Sequence, residues 1–491
     1  MFPTGVDDHD NIEWALRNTA PGGTVKLEEG VYKFGGTAVV PNFDGKLIGA
    51  GAEKTTLTCT DEYNYELWEA PGGGADSGQP VPPRFPRAPI AGTTTRAAPG
   101  LILFYKTPPS PGDDLLARAN RIEIRGMRCR GAMRGADWTF GDEVLCFTVA
   151  NTVDFANPEA IPVTTRQDVL ISDVEVDGYK TPAFPIFENS CACITITGGL
   201  ILTDNFDLEG SVDGDMFGAE NGALLGLVPA EGDVTFQNCL FRNCRVGPGV
   251  IGYKDGNLLF DGITTDGCRG NCLQLYDNSG CNIEVRNGNL FCDSFLLPPE
   301  LTVGGASDVP SSLGCVVAVQ GATAAAGISA NLRWLSLAID ATAHAAHPEA
   351  GPLGTWRPLG PYFAPAPSTL KIVDTECRSS ETINTYCFHL MDLTNAAFGT
   401  PSVDATIKNN SCRDSQTCVS LEFVSSGLIK GNECASQETG IELYASPSIT
   451  VEKNDFSLPP GSGCELLVLV PGDKIDPSRV APGAGTCTAQ G

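Results

Sequence analysis

The fold is decided by three stretches near the C-terminus that share one pattern: Ile407-Lys-Asn-Asn-Ser-Cys412, Ile429-Lys-Gly-Asn-Glu-Cys434 and Val451-Glu-Lys-Asn-Asp-Phe456. Their first residues are 22 positions apart, and the same spacing separates Asn410, Asn432 and Asn454. A fixed period of this length is typical of one structural unit stacked on copies of itself. In such a solenoid, residues far apart in sequence become neighbours on one face.

The period continues toward the N-terminus in a looser form, for example in Cys244, Cys268 and Cys292, which are 24 residues apart. A second short segment follows each repeat and alternates apolar and polar residues, as at 250–253, 273–276, 316–319, 388–391, 419–422 and 441–444. Such alternation is typical of strands. The sequence therefore predicts an all-β parallel β-helix solenoid of about ten coils between residues 101 and 470.

The N-terminal stretches Asp10-Asn-Ile-Glu-Trp-Ala-Leu-Arg17, Pro21-Gly-Gly-Thr-Val-Lys26 and Leu47-Ile-Gly-Ala-Gly51 resemble the start of the pectin-lyase-like superfamily. The resemblance implies a right-handed parallel β-helix with an N-terminal capping helix. It leaves function open, because this superfamily includes lyases, hydrolases, esterases, tail spikes and non-enzymatic surface proteins.

We expect one β-helix domain over residues 1–470, in which 1–60 form the cap and first coil. Stretches near 70–100, 205–232 and 321–368 break the period and are interpreted as loop insertions. Residues 471–491 are interpreted as a C-terminal tail. Insertions in a solenoid emerge as loops on one side, often the binding side.

Charge and hydropathy exclude several classes of partner. The 491-residue chain has a net charge of −27, which argues against nucleic acid and against anionic membranes. The same charge repels polyanionic substrates unless a basic cleft or bridging cations compensate. We find no apolar run long enough to insert into a membrane. The first residues lack signal-peptide features, so any such segment was either never present or already removed.

Nineteen cysteines favour an oxidising, extracellular location, with buried free thiols as the alternative. Many of them fall into two columns that face each other across one turn of each coil. Four coils have a cysteine in both columns, and we expect some of these pairs to close the turn as disulfides: Cys268–Cys272, Cys292–Cys315, Cys377–Cys387 and Cys412–Cys418. Pairing between coils, or no pairing, are the alternatives. The repeated Asn residues are expected to stack and hydrogen-bond along the solenoid.

Candidate binding and catalytic residues lie on the alternating second segments. They belong to the face of each strand that points away from the apolar side chains. Tyr253, Tyr276 and Tyr444 on this predicted outward face suit stacking against sugar rings, and the alternative is that exposed Tyr is ordinary on strands. Glu422 and Glu442 are one coil and two residues apart, which places their backbones about 8 Å from each other. That separation fits an inverting glycosidase pair, and two solvated carboxylates are the alternative.

Two further residues offer proton transfer. His389 lies one coil from Ser420 and has the acid–base range for catalysis near neutral pH. Lys254, at the end of a strand, is a candidate base for a lyase reaction.

The acidic stretch around Asp207, Glu209, Asp213 and Asp215 has the oxygen-rich, glycine-spaced chemistry that suits calcium, and a solvated acidic loop is the alternative.

These observations predict an extracellular protein that engages a polysaccharide or other glycan, as a polysaccharide lyase or glycoside hydrolase. The alternative is a non-catalytic surface, adhesion or fibre-forming protein that self-associates. The sequence lacks the Asp-Asp, Gly-His-Gly and Arg-Ile-Lys pattern of polygalacturonases and the Trp-x-Asp-His pattern of pectate lyases. The common pectinase activities are therefore not expected.

Overall fold

The structure is a computed structural model that describes residues 1–36, 38–60, 100–106, 120–130, 145–152, 165–177, 190–197, 200–202, 230–242, 248–251, 253–268, 271–276, 278–292, 313–320, 366–379, 385–399, 401–459, 464–469 and 486–487. The chain divides into two compact units. Among the described residues, positions 1–235 belong to the first unit and later positions to the second. The predicted insertions near 70–100, 205–232 and 321–368 lie largely outside the described residues, as does most of the tail 471–491.

The first unit begins with helix α1 (His9–Arg17), which buries Ile12 and Leu16 on one side. The carboxylate of Asp8, just before the helix, accepts hydrogen bonds from the backbone N–H groups of Thr4 and Lys33. These bonds attach the start of the helix to the first strands.

The strands of the first unit are parallel to their neighbours wherever they pair within it. In chain order they are β1 (Gly23–Lys26), β2 (Gly30–Phe34), β3 (Ala38–Pro41), β4 (Gly45–Ile48), β5 (Thr55–Cys59), β6 (Gly100–Lys106), β7 (Asn120–Arg130), β8 (Leu145–Thr152), β9 (Thr165–Asp177), β10 (Ser190–Thr197), β11 (Leu200–Leu202) and β12 (Ala230–Glu231). Strand β5 illustrates how these strands pack. Thr55, Leu57 and Cys59 are buried, while the residues between them are partly exposed. Alternation of this kind places one side of a strand in the core.

The second unit holds one short helix, α2 (Leu393–Phe398), and the remaining strands. In chain order these are β13 (Val234–Gln237), β14 (Leu240–Arg242), β15 (Gly249–Ile251), β16 (Tyr253–Lys254), β17 (Asn257–Asp261), β18 (Thr264–Cys268), β19 (Leu273–Tyr276), β20 (Asn282–Arg286), β21 (Asn289–Cys292), β22 (Leu313–Gln320), β23 (Ser368–Val373), β24 (Glu376–Ser379), β25 (Thr385–Asp392), β26 (Val403–Lys408), β27 (Ser411–Arg413), β28 (Thr417–Glu422), β29 (Ser426–Lys430), β30 (Glu433–Ala435), β31 (Thr439–Tyr444), β32 (Ile449–Glu452), β33 (Asp455–Phe456), β34 (Cys464–Leu469) and β35 (Thr486–Cys487).

Successive strands of the second unit visit three sheets in turn. The first sheet runs β13-β17-β20-β23-β26-β29-β32, the second β14-β18-β21-β24-β27-β30-β33, and the third β15-β19-β22-β25-β28-β31-β34-β35. Each strand pairs in parallel with its equivalent one coil later, as β25 does with β28 and β28 with β31. This is the parallel β-helix that the period predicted.

The turn between the first and second sheets contains the Asn column, which stacks as predicted. Asn410 Nδ2 donates to Asn432 Oδ1 over 3.0 Å, and Asn432 Nδ2 donates to Asn454 Oδ1 over 2.9 Å. The same amides donate to the backbone carbonyls of Ile372 and Ile407. We call this array the asparagine ladder.

The residue before each member of the ladder adopts a left-handed backbone conformation, with φ values of 56° at Asn409, 67° at Gly431 and 55° at Lys453. Asn and Gly accept this conformation readily, whereas Lys does so at a cost. The repeated pattern in the sequence therefore records a repeated turn. No helix among the described residues is long and apolar enough to cross a membrane.

Candidate active site on the third sheet

His389 lies at the centre of a group of ionisable side chains on the third sheet. Its side chain is 2 % exposed, and Ser420, opposite it on the next strand, is 1 % exposed. The sequence-based expectation that this face points outward is therefore wrong at these positions. Strand β25 is buried on both faces, because Phe388 and Leu390 fill one side while His389 and Met391 are covered on the other.

His389 contacts two neighbours directly. Its Nε2 lies 3.1 Å from Glu422 Oε1, a hydrogen-bond distance. The ring of Tyr386, on the same strand, lies 4.5 Å from the imidazole ring, centroid to centroid. Because Glu422 is partly exposed while His389 is not, the carboxylate connects a buried imidazole to the protein surface.

Strand register brings Glu442 to the same place. Ser420 stands opposite His389 in the adjacent strand, and Glu442 stands opposite Ser420 one strand further. The charges of Glu422 and His389 both act on Glu442, and the charges of Glu422 and Glu442 both act on Tyr386. We call Tyr386, His389, Glu422 and Glu442 the acid–base cluster.

The surroundings favour the protonated form of Glu442. Its partial burial and the nearby Glu422 carboxylate raise the pKa of Glu442, and His389 opposes this in part. Burial, together with Glu442 and Glu422, also raises the pKa of the Tyr386 phenol well above its usual range. The cluster therefore combines one carboxyl group favoured as an acid with a phenol that keeps its proton.

One buried polar atom of the cluster and one beside it have no hydrogen-bond partner among the described residues. They are His389 Nδ1 and Ser420 Oγ. Buried polar atoms in folded proteins are normally paired, and exceptions often mark functional positions. Both atoms lie within the row that the register builds from His389, Ser420 and Glu442.

Sequence reasoning missed Tyr386. The sequence predicts an alternating segment that starts at residue 388, whereas strand β25 starts at Thr385. Tyr386 precedes the buried Cys387 and shares no obvious period with the other tyrosines. Alternation along the strand groups Tyr386 with Phe388 and Leu390 rather than with His389, so the sequence held no signal for this contact.

The aromatic candidates have different outcomes. Tyr444 stands opposite Glu422 on the next strand and packs edge-on against Phe423, with ring centroids 5.2 Å apart. Tyr276 lies in the same register row as Glu422, three strands earlier, and its side chain lies outside the described residues. Tyr444 is thus the predicted sugar-binding residue that the fold places beside the cluster.

Tyr253 and Lys254 are not brought to the cluster. The third-sheet strand of this coil, β15, ends at Ile251. Tyr253 and Lys254 form the separate strand β16, which is not part of the third sheet. Ile251 itself is four strand steps from Glu422, a backbone distance of about 19 Å. Their side chains lie outside the described residues. The acidic stretch Asp207, Glu209, Asp213 and Asp215 also lies outside them, so the calcium site stays a prediction.

The disulfide predictions are partly confirmed. Cys412–Cys418 is bonded across one turn, as expected. Cys315 is bonded to Cys377, which rules out Cys292–Cys315 and Cys377–Cys387 in this structure. The reason is the register: Cys377 stands opposite Leu290, and Cys292 stands opposite Ser379, so the expected first column is broken there. The side chain of Cys268 lies outside the described residues, and Cys268–Cys272 stays a prediction.

The chain is similar to solved parallel β-helix structures. No protein-family model matches the sequence, and no curated protein does. PfbA, a surface adhesin of Streptococcus pneumoniae, has 12% identity and a TM-score of 0.52 over 94% of this chain and 90% of that chain. The A-module of Azotobacter vinelandii mannuronan C-5 epimerase AlgE6 has 14% identity and a TM-score of 0.45, covering 93% and 97%.

The catalytic unit of a GH87 alpha-1,3-glucanase from Streptomyces thermodiastaticus has 10% identity and a TM-score of 0.31, covering 93% of this chain and 65% of that chain. Sequence identities this low support a conclusion about the fold and not about the function. The chain has the parallel β-helix fold.

Proposed function

We propose that the protein is a glycoside hydrolase that cleaves a neutral polysaccharide at the acid–base cluster. The observation that carries the proposal is the contrast between two carboxyl groups on neighbouring strands. Burial and a neighbouring charge raise the pKa of Glu442, while Glu422 is within hydrogen-bond distance of His389. Hydrolysis of a glycosidic bond needs one carboxylic acid and one carboxylate in this relation.

Three members of the cluster have a role in this reaction. Glu442 donates its proton to the glycosidic oxygen of the leaving sugar. Glu422 takes a proton from the water that attacks the anomeric carbon, and His389 orients Glu422. The backbones of Glu422 and Glu442 lie about 8 Å apart by strand spacing and rise, and a similar separation of their carboxyl groups would give the inverting version of the reaction.

The charge of the protein supports a neutral substrate. The chain carries a net charge of −27, and the Glu422 carboxylate lies within the cluster itself. A uronic acid polymer would meet repulsion from both. The partly buried rings of Tyr444 and Phe423 provide an apolar surface beside Glu422, which suits the apolar face of a sugar ring.

The finer features of the fold belong to the same proposal. We place the cluster in a right-handed stack of about ten coils, in which helix α1 covers the open N-terminal end. An extracellular location is supported by the disulfides Cys315–Cys377 and Cys412–Cys418, since such bonds persist in oxidising compartments.

The test is a screen of the purified protein against neutral and uronic polysaccharides, following both new reducing ends and the absorbance of unsaturated products. We expect reducing ends from a neutral polymer without unsaturated products. Glu442→Gln and Glu422→Gln are each expected to lower kcat about 10²- to 10⁴-fold, the usual contribution of general acid–base catalysis.

The control is Glu433→Gln, which removes an exposed carboxylate from the same coil as Glu442 and should leave kcat unchanged. Unsaturated products from a uronic polymer would contradict the hydrolase proposal and show that the protein is a lyase. Binding without turnover on every polymer would favour the non-catalytic surface or adhesion protein instead.

A further inference from the structure

Six cysteines on four successive coils of the second unit form two facing rows, one in strands of the second sheet and the other in strands of the third. In one row Cys377, Cys412 and Cys434 stand opposite one another on successive strands. In the other row Cys387 lies between Cys315 and Cys418, since their flanking residues are paired in register. We call these six residues the sulfur ladder.

The present pairing uses four of the six. Cys315–Cys377 joins one coil to the next, whereas Cys412–Cys418 closes a turn within one coil. Cys387 and Cys434 are left as buried thiols. Each thiol lies against a disulfide: the sulfurs of Cys315, Cys377 and Cys387 are all within 4.8 Å of one another, and so are those of Cys412, Cys418 and Cys434.

The stacking relates the bonded pair to two unbonded ones. One coil step takes Cys315 to Cys387 and Cys377 to Cys412. A second step takes Cys387 to Cys418 and Cys412 to Cys434. Because the bonded pair has a Cα separation of 6.2 Å, the two equivalent pairs are expected near that value, inside the range that a disulfide tolerates.

We propose that the sulfur ladder matures to three staggered disulfides, Cys315–Cys377, Cys387–Cys412 and Cys418–Cys434, each joining one coil to the next. Pairing within coils uses only Cys377–Cys387 and Cys412–Cys418 and leaves Cys315 and Cys434 over. Staggered pairing satisfies all six. The product is a continuous covalent staple across four successive coils.

The chemistry needs one exchange and one oxidation. The Cys434 thiolate attacks the sulfur of Cys418, the Cys412–Cys418 bond breaks, and Cys412 leaves as a thiolate. Cys412 then attacks a small-molecule disulfide of the glutathione class and releases one thiol. Cys387 attacks the resulting mixed disulfide at Cys412 and releases the second thiol. The protein loses two electrons and two protons, and the small disulfide gains them.

Burial controls the rate of these steps. Burial raises the pKa of the Cys387 thiol to about 12 and also raises the pKa of Cys434, so thiolate is scarce in the closed stack. Exchange is therefore expected when the C-terminal coils open locally or before they close during folding.

The experiment maps disulfides in the full-length protein without reduction. The protein is held with oxidised glutathione in urea below its unfolding midpoint, quenched with acid, denatured, alkylated and digested. We expect the two thiols of the ladder to fall to none and linked peptides 387–412 and 418–434 to appear. Persistence of the Cys412–Cys418 peptide with alkylated Cys387 and Cys434 would overturn the proposal.

Two variants, one for each new bond, are produced in an oxidising compartment and mapped in the same way. In Cys412→Ala, Cys418 is expected to bond Cys434 and leave Cys387 as the thiol. In Cys418→Ala, Cys412 is expected to bond Cys387 and leave Cys434. Ser436→Ala, a buried change nearby, should leave the wild-type map unaltered. A free thiol at Cys418 or Cys412 in a folded variant contradicts the staggered pairing, and the wild-type map decides if a variant does not fold.

Discussion

The asparagine ladder and the acid–base cluster are both polar arrays produced by stacking strands, but they differ in how fully their buried polar atoms are paired. In the ladder, Asn432 accepts from the backbone and side chain of Asn410 and donates to Asn454 and Ile407. In the cluster, His389 Nδ1 and Ser420 Oγ have no partner among the described residues. An array in which every buried polar atom is hydrogen-bonded is typical of a structural role. Unpaired polar atoms beside carboxyl groups with shifted pKa values are typical of a reactive site.

The largest effect is expected from breaking the ladder at its centre. Asn432→Ala removes four hydrogen bonds and leaves the buried N–H of Asn410 without an acceptor. The free energy of unfolding is expected to fall by about 3 kcal/mol, measured by urea denaturation. Turnover per folded molecule should stay unchanged.

The neighbouring change Asn409→Gly is the control for the ladder. Asn409 has a φ of 56°, which Gly accepts, and its amide lies at the exposed edge of the turn. We expect a change below about 0.5 kcal/mol. An equal loss in both variants would mean that the turn, and not the stacked amides, carries the stability.

Two buried serines compare a paired hydroxyl with an unpaired one. Ser446 Oγ accepts from the N–H of Val424 and donates to the carbonyl of Leu421, whereas Ser420 Oγ has no partner among the described residues. Ser446→Ala is expected to lower the free energy of unfolding by about 1–2 kcal/mol, and Ser420→Ala by less than about 0.5 kcal/mol. Equal losses in urea denaturation would show that Ser420 has a structural partner.

Two glutamates should respond to pH with opposite signs. The pKa of Glu442 is raised, chiefly by burial, so ionisation of Glu442 weakens the folded state as pH rises through that pKa. Glu442→Gln is therefore expected to be more stable than the wild type at neutral pH, and the difference should vanish below the ordinary carboxyl pKa of about 4.3.

The control for this sign is Glu452→Gln. The hydrogen bond from Lys430 lowers the pKa of Glu452, so its contribution is present at neutral pH and is lost as pH falls through the lowered value. Glu452→Gln should be less stable than the wild type at neutral pH and should match it in acid. If both variants change the free energy of unfolding at neutral pH in the same direction, the assignment of Glu442 as the acid is wrong.

The smallest effect concerns the turn at Lys453, whose φ of 55° suits glycine better than lysine. Lys453→Gly relieves that conformation and is expected to raise the free energy of unfolding by about 0.5–1 kcal/mol. Gly431→Ala, at the equivalent position one coil earlier, should lower it by a similar amount. Thermal unfolding of the two variants checks both signs, and a destabilised Lys453→Gly would mean that the lysine side chain stabilises its turn.

Much of the frame was predictable because its signals are local. The 22-residue period predicted parallel stacking, the Asn column predicted the ladder, and the two facing cysteine columns predicted the Cys412–Cys418 bond. The site was only partly predictable. Register placed His389, Glu422 and Glu442 near one another, but Tyr386 carried no periodic signal and the outward orientation of His389 was wrong.

The sequence by itself determined that strands alternate, that they repeat, and that equivalent residues of successive coils share a row. These properties follow from backbone geometry with a period of two along a strand and about 22 residues along the stack. Only the tertiary structure decided that the His389 side of its strand is covered, that Cys315 bonds Cys377, and that Glu442 is partly buried beside Glu422. Burial depends on what packs over a face, and sulfur pairing depends on register between coils, and neither is encoded within a single repeat.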